Sequence, residues 1–231
     1  MKLHNIISII CLSCLAGTMV VAQQPRYDTI RYARDYYRKR VNAFKEEHLS
    51  TGKIIFLGNS ITEYGEWEKL LGDSTVVNRG IAADNTYGVL ERLDDIIVRK
   101  PSKLFVEIGL NDVAQEIPSD SIVANIIRIV SRCRQSSPGL KVYVHGLSPT
   151  NDNCKKYYPQ CFGKNDLAKA VNQKLVKEAE TNSFTFIDLY KLFEDKEGNL
   201  DKKYAREDGL HLNDLGYKTW IAYLRKIKAI G

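Results

Sequence analysis

Beyond the N-terminal apolar run, which holds Cys11 and Cys14, the sequence has no Cys-x-x-Cys pair and no Cys/His cluster at zinc-ligand spacing, so a structural metal is not expected. It also has no long block of one charge sign. A formal net charge of +6 is spread over 34 basic and 28 acidic residues, which suits a solvated surface better than a nucleic-acid stripe. No nucleic-acid partner is expected on that ground. Linkers, internal repeats and low-complexity segments are missing too, so nothing divides the chain into several units. The apolar run from Ile6 to Leu15 is shorter than the roughly 20 residues that a membrane span needs. What remains is a chain of 231 residues with 44% hydrophobic content, enough to bury one sizeable core.

That apolar run has another reading. Lys2 precedes it, and Val20-Val21-Ala22 resembles a small-residue cleavage site, the layout of a secretory signal over residues 1–22. The expected mature unit is then a single domain over 23–231, exported to the periplasm or beyond. Cys14 after Leu12-Ser13 loosely resembles a lipoprotein acylation box, although Cys11 stands where that pattern prefers leucine; lipid anchoring is the lesser alternative. Removal of the signal leaves Cys133, Cys154 and Cys161. In an oxidising compartment Cys154 and Cys161 could close a small loop holding Tyr157, Tyr158 and Pro159, whereas Cys133 reads as a buried thiol.

Along the chain, apolar residues at helical spacing predict an amphipathic helix from Arg26 to His48. Five short apolar runs follow: Ile54 to Leu57, Val76 to Gly80, Lys103 to Ile108, Lys141 to Gly146 and Phe184 to Leu189. Helical patterns separate them, one of them opened by Asp84 and one covering Ser119 to Gln135. Strands alternating with helices are the pattern of a parallel sheet covered on both faces. The fold class expected is α/β, a three-layer α/β/α sandwich on five parallel strands. The loop from Ser148 to Asn165 is long enough to be functional. Its Tyr157, Tyr158 and Phe162 either line a substrate mouth or pack the loop.

In a parallel sheet the carboxyl ends of all strands open onto one rim, so residues distant in sequence can meet there. Ser60 follows the first strand, Gly80 ends the second, Asn111 lies just past the third, and Asp208 and His211 precede the closing helix. Each has an ordinary structural reading as cap, turn former or strand-end glycine. Together they have the residue types that acyl transfer requires: a hydroxyl, an imidazole to take its proton, a carboxylate to orient that imidazole, and donors for the oxyanion.

Gly58-Asn59-Ser60-Ile61-Thr62, Asn78-Arg79-Gly80, Gly109-Leu110-Asn111-Asp112 and Asp208-Gly209-Leu210-His211 resemble, in order, the four sequence blocks of the SGNH hydrolases, the GDSL-type esterase and lipase superfamily. The stretch Asn-Arg-Gly-Ile followed by Glu91-Arg92-Leu93 looks most like the branch of platelet-activating-factor acetylhydrolase subunits and carbohydrate acetylesterases. This resemblance implies a flavodoxin-like fold, no cofactor, Ser60 as nucleophile, His211 as general base and Asp208 as its orienting carboxylate. It also implies an oxyanion hole of the Ser60 N–H, the Gly80 N–H and the Asn111 side chain. The implied activity is removal of a short acyl group, acetyl above all, from a carbohydrate or other small ester. A lysophospholipase or thioesterase on longer chains and a non-catalytic glycan-binding module are the alternatives. Two residues stand out: Asn59 replaces the aspartate of the family pattern, and Glu107 interrupts an apolar strand.

Overall fold

A computed structural model describes residues 33–231; the proposed signal segment and the first part of the Arg26–His48 helix lie outside the described residues. The sheet is built from β1 (Ile54–Gly58), β2 (Val77–Gly80), β3 (Lys103–Glu107), β4 (Lys141–His145) and β5 (Thr185–Ile187). All pairs are parallel, and the spatial order is β2-β1-β3-β4-β5. The strand order reverses between β1 and β3, and a crevice opens outside their carboxyl ends. Ser60 and Asn111 follow these two strands directly.

Residue alternation along the strands divides the core in two, because successive side chains point to opposite faces. Ile55, Leu57, Leu104, Val106, Val142 and Val144 form one face. They are covered by α4 (Thr86–Glu91), α5 (Leu93–Val98), α7 (Ser119–Ser136) and α9 (Asn165–Glu178). Phe56, Phe105 and Ile187 form the other face, packed against α3 (Trp67–Leu71), α10 (Leu189–Phe193) and α11 (Asp214–Lys226). There Phe56 stacks between Trp67 at 4.0 Å and Phe105 at 4.6 Å. Among the described residues no helix is long and apolar enough to cross a membrane.

The helix α1 (Ala33–Glu46) docks by the expected stripe, with Tyr37, Val41 and Phe44 turned inward together with Arg34 and Arg40 and the other described side chains exposed. Its Phe44 is buried beneath the Arg79 guanidinium, 4.3 Å from the ring centre. Arg79 is itself buried and held by Glu47 at 2.5 Å and Asp95 at 2.8 Å. Tyr37 donates to the Gly88 carbonyl at 2.7 Å, and Tyr36 and Arg40 both reach Glu63.

Several expectations are corrected. Asp84 does not open the following helix: Asn85 caps α4 by accepting from the N–H groups of Tyr87 and Gly88. Asp84 is instead fully buried against Arg92 at 2.8 Å, and the single helix expected there breaks at Arg92 into α4 and α5. Three helices of four or five residues were not apparent, α2 (Ser60–Glu63), α6 (Leu110–Ala114) and α10, while α8 (Cys154–Tyr157) interrupts the long loop. Cys154 and Cys161 are free buried thiols in contact with each other, and Cys133 is a third buried thiol. The loop they bracket is closed by backbone instead, Tyr158 N–H donating to the Cys154 carbonyl at 2.7 Å and Cys161 N–H to that of Tyr158 at 2.8 Å.

Candidate active site

The turn after β1 is built tightly around Ser60. A side chain on Gly58 would meet the Glu107 carbonyl at 2.1 Å and Thr62 Oγ1 at 2.2 Å, so only glycine fits. Asn59 then caps α2 by accepting from Ile61 N–H at 2.8 Å. From the far side Tyr217 donates to the Ile61 carbonyl at 2.7 Å and Trp67 Nε1–H to that of Thr62 at 2.8 Å. Ser60 is thereby fixed as the first residue of α2, at the rim of the crevice, with 8% of its surface exposed.

Beneath this turn lies Glu107, paired in register with Gly58 and fully buried. Neither carboxyl oxygen has a well-formed hydrogen bond; burial pushes its pKa up to about 8, with the Asn59 and Thr62 side chains only partly offsetting it. Glu107 is thus a neutral acid at pH 7, and an aspartate at position 59 would set a second carboxyl beside it. The amide of Asn59 keeps the cap without that clash. Between its ordinary value of 4.5 and about 8 the folded protein holds a proton that the unfolded chain releases, so stability falls as pH rises through this window. Glu107→Gln should remove that slope. Thermal melts are expected to show the variant more stable by up to about 3 kcal/mol at pH 7 and little changed at pH 4.5. A gain that does not vary with pH would contradict the neutral-acid assignment.

The loop carrying Asp208 and His211 is pinned by its backbone. Arg206 N–H donates to the His211 carbonyl at 2.7 Å and Gly209 N–H to that of Arg206 at 3.1 Å. Gly209 has φ +71°, and a side chain there would also run into Asn151 Oδ1 at 2.3 Å. Asp208 uses both oxygens. Oδ1 accepts from the N–H groups of Leu210 and His211, each at 2.9 Å, and Oδ2 lies 2.7 Å from His211 Nδ1. Across the crevice His211 Nε2 is 2.8 Å from Ser60 Oγ. An ionised carboxylate can only accept, so Nδ1 carries the ring proton and Nε2 is left to accept from the serine. Burial lowers the His211 pKa and outweighs the opposing pull of Asp208. Burial would raise that of Asp208, yet the hydrogen bonds from His211 and Leu210 hold it below the usual carboxylate range.

The donors facing the serine differ in one respect from expectation. Asn111 Nδ2 donates to the Asp84 carbonyl at 2.8 Å, which orients the amide and leaves its second N–H. Gly80 N–H, expected in the oxyanion hole, is engaged by Asn78 Oδ1 at 2.9 Å. Gly80 serves close packing instead, since a side chain on it would strike the Glu63 N at 2.2 Å. The backbone of the next turn is differently placed. Asp84 N–H donates to the Ile81 carbonyl at 3.1 Å, and Ala83, third in the turn, has φ +64°, as a type II turn requires. Alanine there costs on the order of 1 kcal/mol. Ala82 N–H is held by Glu63 Oε2 at 2.6 Å and Asp84 by Arg92, which also donates to the Gly58 carbonyl at 3.1 Å. Among the described residues Ala83 N–H, between these anchors, has no hydrogen-bond acceptor. Asp112, beside Asn111 in sequence, turns away to accept from Thr86.

Two aromatic rings flank the imidazole: Tyr64 at 5.0 Å, tilted, and Tyr158 at 5.5 Å, edge-on. Of the three rings read as either lining the mouth or packing the loop, only Tyr158 reaches His211. Tyr157 is exposed and donates to Glu207 at 2.6 Å, and Phe162 is exposed beneath Lys155. A surface cleft of about 330 Å³ lined by Asp152, Asn153, Lys155, Lys156, Tyr157 and Glu207 lies along this side. His145 takes no part: buried in an apolar layer, it is held neutral, its pKa lowered to about 3 by burial, and accepts from Trp220 at 3.2 Å. Among the described residues no cluster of His, Cys, Asp and Glu is arranged to hold a metal.

Comparison with known proteins agrees with this architecture. The platelet-activating factor acetylhydrolase IB subunit alpha2 of Rattus norvegicus is 25% identical over 180 residues, covering 71% of this chain and 70% of its own. A solved structure from Streptococcus pneumonia, described as a platelet activating factor, superposes with TM-score 0.76 at 25% identity, covering 85% of this chain and 94% of that one. A catalytic mutant of an acetylxylan esterase from Geobacillus stearothermophilus shares the fold, with TM-score 0.61 at 19% identity over 77% of this chain and 94% of that one. Residues 56–219, from β1 through α11, match the GDSL-like lipase/acylhydrolase family model, so the stretch holding Ser60, Asn111, Asp208 and His211 lies wholly within it, and the chain belongs to that family of ester-hydrolysing enzymes.

Proposed function

We propose that the protein is an exported serine esterase that removes short acyl groups, acetyl in particular, from a carbohydrate. The observation that carries the reading is the continuous line from Asp208 through His211 to Ser60, with contacts of 2.7 and 2.8 Å. Ser60 Oγ attacks the ester carbonyl while His211 Nε2 takes its proton. The oxyanion is met by the N–H groups of Ser60 and Ala83 and by Asn111 Nδ2–H. Collapse expels the alcohol, which receives the proton back from His211, and a water activated at Nε2 then releases the acid from the acyl-enzyme. The aromatic rings beside His211 support a sugar as the leaving alcohol, because ring faces suit the apolar faces of sugars. The likeness to an acetylxylan esterase and to an acetylhydrolase subunit supports a short acyl group. The apolar segment at residues 6–15 supports export.

The test is a series of chromogenic acetate, butyrate and octanoate esters, with acetate release from acetylated glycans measured alongside. Rates falling from acetate to octanoate and release from a glycan are expected; octanoate as the best ester would point instead to a lysophospholipase or thioesterase. A protein that neither hydrolyses any of them nor reacts with a fluorophosphonate would be a glycan-binding module. Within this mechanism Asn111→Ala should lower kcat about 100-fold to 1,000-fold with little change in KM, since its amide acts on charge that develops only in the transition state. A KM effect alone would remove Asn111 from the oxyanion hole.

A further inference from the structure

Arg206 is a charged side chain beside His211 whose position the mechanism does not use. It stands at the neck of the loop that carries Asp208 and His211, its N–H tied to the His211 carbonyl. Its Nε donates to the Leu212 carbonyl at 2.9 Å, and its guanidinium lies over the face of Tyr64, 5.2 Å from the ring centre. Tyr64 in turn lies 5.0 Å from the His211 ring. The guanidinium is therefore held one ring away from the imidazole, on the exposed side.

Among the described residues Arg206 takes part in no salt bridge, and its two terminal nitrogens make no hydrogen bond. The nearest carboxylates in sequence are used elsewhere, Glu207 by the Tyr157 hydroxyl and Asp208 by His211. Such a cation is unfavourable for the mechanism itself. Catalysis requires His211 to become an imidazolium, and Arg206 acts against that charge. Stacking on an exposed tyrosine contributes only about 0.5–1 kcal/mol. An anion bound by the free fork would neutralise Arg206 at the moment the imidazolium forms, turning a cost for neutral esters into a preference for charged ones.

We propose that Arg206 is a specificity residue that binds a carboxylate on the alcohol half of the substrate, which makes an O-acetylated acidic sugar, of the uronic acid class, the favoured ester. The planar pair of terminal N–H groups matches a carboxylate in a two-point contact. The proposal rests on the esterase reading above and refines its substrate.

The test compares kcat/KM for an O-acetylated methyl glucuronoside and for the corresponding O-acetylated methyl glucoside, in which a hydroxymethyl replaces the carboxylate, with acetylated glycerol phosphate as a third substrate. The parent protein should prefer the uronate about 10-fold to 100-fold, the range of a charge-assisted hydrogen bond, and the preference should shrink with added salt. Arg206→Gln should bring the ratio of the two sugar esters close to one, and Arg206→Lys should keep part of it, having the charge but not the fork. In Arg206→Gln the rise of activity with pH should also move to higher pH, because the cation opposing the imidazolium is gone. Equal rates on both sugars in the parent protein would overturn the proposal, as would an equal loss on both in Arg206→Gln, or a preference for the phosphate over the uronate. Hydrolysis of none of the three by the parent protein would instead sink the underlying esterase reading.

Discussion

Ser60→Ala is expected to lower kcat for a chromogenic acetate ester by about a million-fold, the scale seen when a triad nucleophile is removed from another serine hydrolase. The fold should survive the change. The cap of α2 is the Asn59 side chain, and the packing of the turn depends on Gly58, Tyr217 and Trp67; among the described residues the serine hydroxyl bonds only to His211 Nε2. Thermal melting should therefore stay close to that of the parent protein while fluorophosphonate labelling disappears. The same variant separates enzyme from binding module, since a module would retain glycan affinity and lose nothing else. Turnover within 100-fold of the parent in a correctly folded Ser60→Ala protein would show that another group attacks the ester.

How much of this could be read beforehand depends on whether a role is carried by residue type or by tertiary contact. Ser60, Asn111, Asp208 and His211 were legible because each sits beside a strand end or turn that the topology brings to one rim, and because the sequence blocks holding them resemble those of the SGNH hydrolases, which assigned their roles. The oxyanion backbone was not. A glycine at position 80 draws attention as the flexible residue, yet the left-handed backbone belongs to Ala83. What holds alanine there is the Arg92–Asp84 pair on one side and Glu63 on Ala82 N–H on the other. Sequence spacing displays neither contact. Asp84 likewise read as a helix cap because acidic residues favour that position; burial beside Arg92 decided otherwise, and Asn85 took the cap. Helices α2, α6 and α10 span barely one turn, too short for any periodicity to show. Tyr64 and Arg206 gave no signal, since an exposed tyrosine or arginine is ordinary until its neighbour proves to be His211.

Asp208→Asn should be nearly as damaging as loss of the serine, about 10,000-fold in kcat by analogy with the same change in another Ser-His-Asp enzyme. The reason lies in the proton inventory rather than in lost structure. An asparagine keeps an oxygen to accept from the Leu210 and His211 N–H groups, so the loop should hold. Its amide nitrogen, facing His211 Nδ1, can only donate. The ring must then accept at Nδ1 and carry its proton on Nε2, where it can no longer take one from Ser60. The pH profile provides the second readout. His211 must be neutral to act as base, and burial sets its pKa below the ordinary value of 6.5, so the parent activity should rise with pH through a midpoint under 6.5. Asp208 and Arg206 are the charged neighbours, with Ser60, Tyr64 and Tyr158 the uncharged groups at the ring. Asp208 favours the imidazolium, so its neutralisation should move the midpoint of the residual activity to still lower pH, whereas Arg206→Gln should move it higher. Profiles of kcat/KM from pH 4 to 9 for the three proteins resolve these opposite displacements. A midpoint that rises in Asp208→Asn, or a loss of activity below tenfold, would mean that this carboxylate does not set the state of the base.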